Sequence, residues 1–530
     1  MSHPARPGVV IRATVVYRSG CLIVCEAAVI ADDVPRKLTA RVVKGSAWVI
    51  SGNASALLLR VAFLGILARL LNPAEFGLMA IGVTFAAVAT LFGNSGLSQT
   101  LVQRQDLRSD HISTAAIFSG AMGLALCLLT ILVAPAAQSF FRMPGLAAVL
   151  SVLSLSFVLQ VLAIVPQALL MRAMKFRTLA AIDLLSYALG YGVVSCLLAW
   201  LGFGVWALVA GTIAQVAIST ASVFKRAEYG FSLRFSLTAF KELLATSLWF
   251  SSAGIANLVA QQAPNLMIGR MLGAEALGFY RSSYQLMSVP ARAMGRATQY
   301  VGLPSLARIQ DDRERLRRAF LRGTRITALV GIPASVLVPL FAPEIVSVLF
   351  GHKWLPVVPL LIVLGSGTYF RLGYRVPMTI LNAIGMVRST VRIQVIYAAA
   401  VVLGCLVTAS FGLTAICVAI VSAMGIIYIC SNFVAARAAN VTPRVFARTL
   451  APGLLMGFSL SLVGWLTIEI TRPYGVPLLT AGMGASACTL LSIFCLIVPH
   501  LRDFALGSDR SNMQTGRFFP SSRPVGESDH

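Results

Sequence analysis

Apolar stretches of about 20 residues, separated by short polar breaks, recur along the chain from Ser46 to His500. Each is long enough to cross the hydrocarbon core of a bilayer as a helix, the form in which a segment satisfies its own backbone hydrogen bonds in lipid. Composition agrees: 57% of the 530 residues are hydrophobic and 12% are charged, where a soluble chain carries roughly twice that charged fraction. The expected fold class is all-α integral membrane, with about 14 transmembrane helices.

The first six expected spans are Ser46–Leu71, Ala74–Asn94, His111–Pro135, Leu146–Met171, Leu179–Leu201 and Gly204–Phe224. The next six are Leu243–Leu272, Ala276–Leu303, Phe320–Phe341, Pro356–Ile384, Val391–Phe411 and Leu413–Arg437. Two more follow, Val445–Ile470 and Val476–Pro499. Residues 1–45 read as a basic cytoplasmic tail or an upstream extension, because their one apolar stretch, Gly20 to Ala31, is too short to span and is interrupted by Glu26. Residues 507–530 are polar and expected to be a disordered cytoplasmic tail.

The formal net charge of +24, from 43 Lys and Arg against 19 Asp and Glu, is a topology signal. The basic residues occupy alternate breaks: Arg104/Arg108, Arg172/Lys175/Arg177, Lys225/Arg226/Arg234, Arg308 through Arg325, Arg388/Arg392 and Arg437/Arg444/Arg448. They are not gathered in one patch, so nucleic acid is not the expected partner. An even helix count in a bacterial inner membrane, with both termini cytoplasmic, satisfies the positive-inside rule at every break. Most cysteines (Cys127, Cys196, Cys405, Cys417, Cys430, Cys488, Cys495) lie inside apolar runs and read as small buried hydrophobes, so neither a metal site nor a disulfide framework is expected.

The chain also repeats itself. RLLNPAEFG from Arg69 resembles RMLGAEALG from Arg270, GLSQTLVQRQD from Gly96 resembles GLPSLARIQDD from Gly302, and FGVWAL from Phe203 resembles FGLTAI from Phe411, at offsets of about 201 to 208 residues. Helices 1–6 (residues 46–224) therefore map onto helices 7–12 (residues 241–437), with residues 445–499 adding two more. Six is even, so both lobes share one orientation, and a pathway is expected between them.

No catalytic constellation is found. The five histidines lie outside apolar centres, no Gly-rich phosphate loop is present, and no carboxylate pair sits in the membrane interior. Neither a cofactor nor enzymatic activity is expected. The conspicuous feature is arginine inside apolar runs, where each costs roughly 2.5–3.5 kcal/mol to insert and must face water, a partner or an anion. Arg60 lies mid-helix with Asn53 on the same face. Helix 8 carries Arg281, Gln285, Ser288 and Arg292 as one stripe, and helix 10 carries Arg371 and Arg375 one turn apart, with Asn382. Helix 7 carries Asn257, Gln261 and Asn265, which fit either a cavity lining or interhelical hydrogen bonding. Arg69 and Arg270 sit at helix ends and read as snorkelling. Asp183 is the lone membrane carboxylate, and so the one candidate both to neutralise an arginine and to couple an ion. A cationic, water-filled cavity suits a diphosphate, which guanidinium binds bidentately, while Asn, Gln, Ser and Tyr280, Tyr284, Tyr369 and Tyr374 suit sugar hydroxyls. Pro166, Pro264, Pro290 and Pro377 fall within helices and supply either kinks for motion or static packing.

The run ARLLNPAEFGLMAI followed by GLSQTLVQRQDL resembles the start of the bacterial polysaccharide transporter family, in particular the exopolysaccharide and lipopolysaccharide flippases of the Wzx/WzxC type. These belong to the multidrug/oligosaccharidyl-lipid/polysaccharide superfamily. The resemblance runs over about residues 40–440. It implies two six-helix lobes in a V with two helices appended, and alternating access between them. It also implies an undecaprenyl diphosphate-linked oligosaccharide repeat unit as cargo, moved from the cytoplasmic to the periplasmic leaflet, with membrane lipids and a polysaccharide polymerase as partners. Rival readings are a lipid II flippase, which differs only in cargo, a multidrug or metabolite antiporter, which wants buried Asp or Glu, and a membrane glycosyltransferase or polymerase, which wants a large loop or soluble domain.

Overall fold

In the computed structural model the described residues are 57–94 (except 58), 98, 100–101, 108–227, 236–297, 313–471 and the positions 482 and 484. The side chains of 94, 238–254, 256, 290–297, 387 and 471 are outside that set. Both tails, Asn53 and, apart from 482 and 484, the fourteenth expected span, Val476–Pro499, also lie outside the described residues.

Every described segment of regular structure is helical. We number the spans α1 (59–70), α2 (Pro73–Asn94), α3 (Ser109–Phe141), α4 (Leu146–Arg172), α5 (Phe176–Trp200) and α6 (Val205–Arg226). A continuous run, Leu237–Ala297, divides at Gly273 (φ 86°, ψ −177°) into α7 (237–272) and α8 (274–297). That φ is open to glycine at little cost, which is why the chain turns there. Then come α9 (Arg313–Leu340), α10 (Val357–Ser366 and Thr368–Ala383, bent by 45°), α11 (Val387–Thr408), α12 (Leu413–Ala438) and α13 (Pro443–Thr471). Nine of these are long and apolar enough to cross a membrane, ten with the bent pair, among the described residues. Among the described residues the second to seventh and the ninth to thirteenth expected spans hold to within a few residues, except that α3 runs on six residues past Pro135, α7 begins six before Leu243 and α9 begins seven before Phe320; the first and eighth lie partly outside the described residues.

Local chemistry sets the helix ends. In NPAEFG, Asn72 precedes Pro73 at the first helical position, and the Glu75 carboxylate accepts a hydrogen bond from the Asn72 N–H at 2.7 Å. This is one half of a capping box with proline where its missing N–H costs nothing. Pro166 lies three residues beyond a break in α4 at Ala163. In α10, Pro377 cannot donate to the Gly373 carbonyl, and Asn432 of α12 donates to that oxygen instead at 3.5 Å.

Membrane character shows on the outer surface. Leu124, Leu128 and Leu132 of α3 form an exposed apolar row at i, i+4 and i+8, and Phe458 and Leu462 do the same on α13. Such rows suit lipid, not water. Inside, two buried apolar clusters each draw on both halves of the chain. One joins Ile81, Phe141, Met143 and Leu146 to Ile268, Leu277 and Tyr280. The other joins Leu67, Leu71, Phe76 and Met79 to Val346, Phe350, Trp354 and Leu361. Helix α13 lies on α9, where Gly453, Gly457 and Gly464 let the two approach closely.

Candidate functional site

Charged and aromatic side chains inside the spans form two groups, one in each half, and α8 contributes Arg281 near the first and Tyr284 to the second. In the N-terminal group, Arg60 of α1 donates to the Asp183 carboxylate of α5 at 3.4 Å, with both side chains partly exposed. Its guanidinium also lies 4.8 Å from the centroid of the Tyr187 ring. Tyr187 stacks on Tyr191 at 5.2 Å and meets Phe63 edge-on. This pair arises because α5 becomes a π-helix over Tyr187–Val194. With i→i+5 bonding a turn takes more than four residues, so the two rings come nearly one above the other. Gly190 and Gly192 make room, the first against the backbone of Gln215, the second against the Phe63 ring. Arg281 of α8 is half-buried and close enough to act electrostatically on Tyr191.

In the other group, Tyr284 of α8, less than one turn beyond Arg281, accepts a hydrogen bond from Arg371 of α10. The Arg371 guanidinium lies 4.6 Å from the same ring's centroid. Its Nε is buried without a hydrogen-bond partner among the described residues, and so is the Nε of Arg375 one turn on. Neither has a carboxylate within salt-bridge range among the described residues. Tyr374 and Tyr397 also surround Arg371, and the Tyr369 and Tyr428 hydroxyls are hydrogen-bonded at 2.8 Å.

The structure thus brings Arg60 and Asp183 together, and sets Arg281, Gln285 and Arg371 about α8. The carboxylate expected to couple an ion is the same one that neutralises Arg60. On helix 7 the interhelical alternative holds for Asn265. Asn265 is 1% exposed, and its amide donates to Thr84 Oγ1 of α2 at 3.2 Å and to Gln262 Oε1 at 2.8 Å, while Thr84 donates to Gln262 at 3.1 Å. Asn265 is interhelical, because the α2–α7 crossing covers its face. Gln261 is exposed and Asn257 half-buried, so the three do not act as one stripe. The side chain of Arg292 lies outside the described residues, as does Asn53.

Sequence reasoning missed Tyr187, Tyr191, Gln262 and Trp354. It also treated Arg69 and Arg270 as snorkelling, whereas both cross between the halves. Arg69 donates to the carbonyls of Val348 and Leu349, and Arg270 lies 5.2 Å from the Phe140 ring centroid.

A family profile described as "Polysaccharide biosynthesis protein" matches residues 66–359, more than half of the chain. The chain is 28% identical over 313 residues to the succinoglycan biosynthesis transport protein ExoT of Rhizobium meliloti (strain 1021), covering 59% of this chain and 63% of that protein. It is 24% identical over 333 residues to the lipopolysaccharide biosynthesis protein WzxC of Escherichia coli (strain K12), covering 61% and 66%. The match thus spans just under two thirds of each relative's length. Among solved structures, the lipid II flippase MurJ in an inward closed conformation superposes with a TM-score of 0.68 at 15% identity, covering 84% of this chain and 98% of that one. At that identity the likeness is one of fold. Arg371 and Arg375 lie beyond the family match.

Proposed function

The chain belongs to the polysaccharide biosynthesis protein family, and we propose that it is a flippase. It moves an undecaprenyl diphosphate-linked oligosaccharide from the cytoplasmic to the periplasmic leaflet of a bacterial inner membrane, with a polysaccharide polymerase downstream. The observation that carries this reading is the set Arg281, Arg371 and Arg375, three cations inside membrane spans with no carboxylate in ion-pair range among the described residues. Each unneutralised arginine raises the cost of the empty state. A diphosphate relieves it by accepting bidentate hydrogen bonds. The tyrosines beside them offer hydroxyls and ring faces to a sugar.

Access alternates between the two six-helix lobes. The basic helix ends, among them Arg172, Lys175, Lys225, Arg388 and Arg437, face the cytoplasm, which puts Pro73 and Ala274 at the periplasmic end. An antiporter for cationic drugs would want a free membrane carboxylate, and Asp183 is engaged by Arg60.

The test is leaflet-resolved transport in proteoliposomes, with undecaprenyl diphosphate-linked oligosaccharide and lipid II as parallel cargoes. Protein-dependent movement of the oligosaccharide lipid, lost in Arg281→Ala, is the expected result. Movement of lipid II alone transfers the cargo assignment to it. No movement of either, with a proton or sodium gradient imposed, refutes the flippase reading.

A further inference from the structure

The two copies of the repeated motif meet each other. A Cβ built on Gly77 of α2 would stand 1.8 Å from the carbonyl oxygen of Ala274, the first residue of α8. A Cβ built on Gly278 of α8 would stand 1.9 Å from the carbonyl oxygen of Pro73, the first residue of α2. Gly77 and Gly278 are equivalent in the repeat, as are Pro73 and Ala274, so the crossing is two-fold. At both points a glycine Hα occupies the place of the Cβ and points at a backbone oxygen, a Cα–H···O contact that no other residue type can make.

The surrounding contacts follow the same symmetry. Arg69 of the first copy reaches the Val348 and Leu349 carbonyls of the C-terminal half, and Arg270 of the second covers Phe140 of the N-terminal half. Gly65, packed on the Leu349 carbonyl, and Gly269, packed on Ile81 and Met143, add close contacts nearby without being equivalent positions of the repeat. Trp354 breaks the symmetry. It is fully buried, its indole N–H donates to the Ala68 carbonyl at 2.7 Å, and Phe76 and Phe279 meet it edge-on from either half. All of this lies at the helix ends away from the basic loops.

We infer that this glycine crossing, with Trp354 beside it, is the periplasmic gate of the transporter, closed in this structure, and that Gly77 and Gly278 are transport residues because only glycine lets the gate shut. The inference rests on the flippase reading for its purpose and on the loop charges for its side. Its geometry makes a sharp demand. Opening must separate Gly77 from Ala274 and Gly278 from Pro73 together, because each contact is the image of the other.

Two experiments test it. Ile81→Cys, buried beside the crossing, is placed in a background with the native cysteines replaced by alanine and probed with a membrane-impermeant maleimide from the periplasmic side. Gly77→Ala and Gly278→Ala, by adding one methyl each, should raise its labelling rate by about tenfold or more, the shift expected when a closed state is no longer favoured. Gly425→Ala, whose Cβ would meet only Phe370 at 4.0 Å, should leave it unchanged. Labelling needs no cargo, so its outcome is independent of the flippase reading. Equal labelling in all variants overturns the gate. The second experiment leaves both glycines intact. Arg69→Cys and Leu349→Cys are joined by a reducible bifunctional thiol reagent. Transport should stop in the joined protein and return on reduction; transport at the unjoined rate also overturns the gate.

Discussion

The two halves of the molecule treat buried positive charge differently. In the N-terminal half Arg60 has a carboxylate at 3.4 Å and an aromatic face beneath it. In the C-terminal half Arg371 has the Tyr284 ring and hydroxyl, and neither it nor Arg375 one turn on has a carboxylate in range among the described residues. The Arg60–Asp183 pair is near electrical neutrality when empty, and Arg281 beside it, unpaired among the described residues, belongs to α8 of the C-terminal half. The Arg371 and Arg375 centre carries two positive charges in spans where each costs several kcal/mol to hold. A related pair of lobes built for symmetric binding would carry both centres alike. On the proposed flippase function, this difference would assign the anionic part of the cargo to the C-terminal half, and would leave the N-terminal half, with the Tyr187–Tyr191 stack, to neutral groups such as sugars.

The largest expected effect breaks the C-terminal centre. Arg371→Gln with Arg375→Gln should abolish transport while leaving membrane insertion intact. Each charge-assisted hydrogen bond to phosphate is worth about 1.5–3 kcal/mol. Transport in proteoliposomes and the amount of protein in the membrane fraction together check this. Next, Asp183→Asn sharpens the comparison by making the N-terminal centre resemble the other. It should tighten binding of undecaprenyl diphosphate severalfold, because Arg60 then has no carboxylate. Its cost in stability should be about 1 kcal/mol or less, since the ion pair is partly exposed. A binding titration and thermal unfolding in nanodiscs separate the two effects. The smallest effect concerns the support of α10. Asn432→Ala withdraws the donor from the Gly373 carbonyl that Pro377 leaves open, and should cost about 1 kcal/mol, read as a modest fall in unfolding temperature.

Much of this architecture is legible in the sequence, for physical reasons. Length and apolarity alone place a span, so α2, α4 and α12 fall where hydropathy puts them. The repeat of NPAEFG with GAEALG is visible as letters, but the letters do not say that the two copies touch. That follows from a close approach measured in three dimensions at Gly77 and Gly278. The intramembrane arginines stand out because charge is costly there, and Asp183 stands out as their lone carboxylate. Which arginine it neutralises is not in the pattern, since 123 residues separate it from Arg60. Asn265 stays open between cavity lining and interhelical bonding in the sequence, because an i, i+4 stripe defines a face without naming what covers that face. Tyr187 and Tyr191 escape because a helical period of 3.6 does not anticipate a π-helix. Trp354 escapes because it sits in the break between two expected spans, while its hydrogen-bond partner, Ala68, lies 286 residues away.

The most direct test of the division of labour between the halves is equilibrium binding of undecaprenyl diphosphate, without sugar, to the wild type, Arg60→Gln and the Arg371→Gln/Arg375→Gln protein in nanodiscs. The account predicts that the C-terminal pair raises Kd by about tenfold or more, the loss of at least one charge-assisted hydrogen bond, while Arg60→Gln changes it by less than about threefold. An equal or greater loss in Arg60→Gln would contradict it.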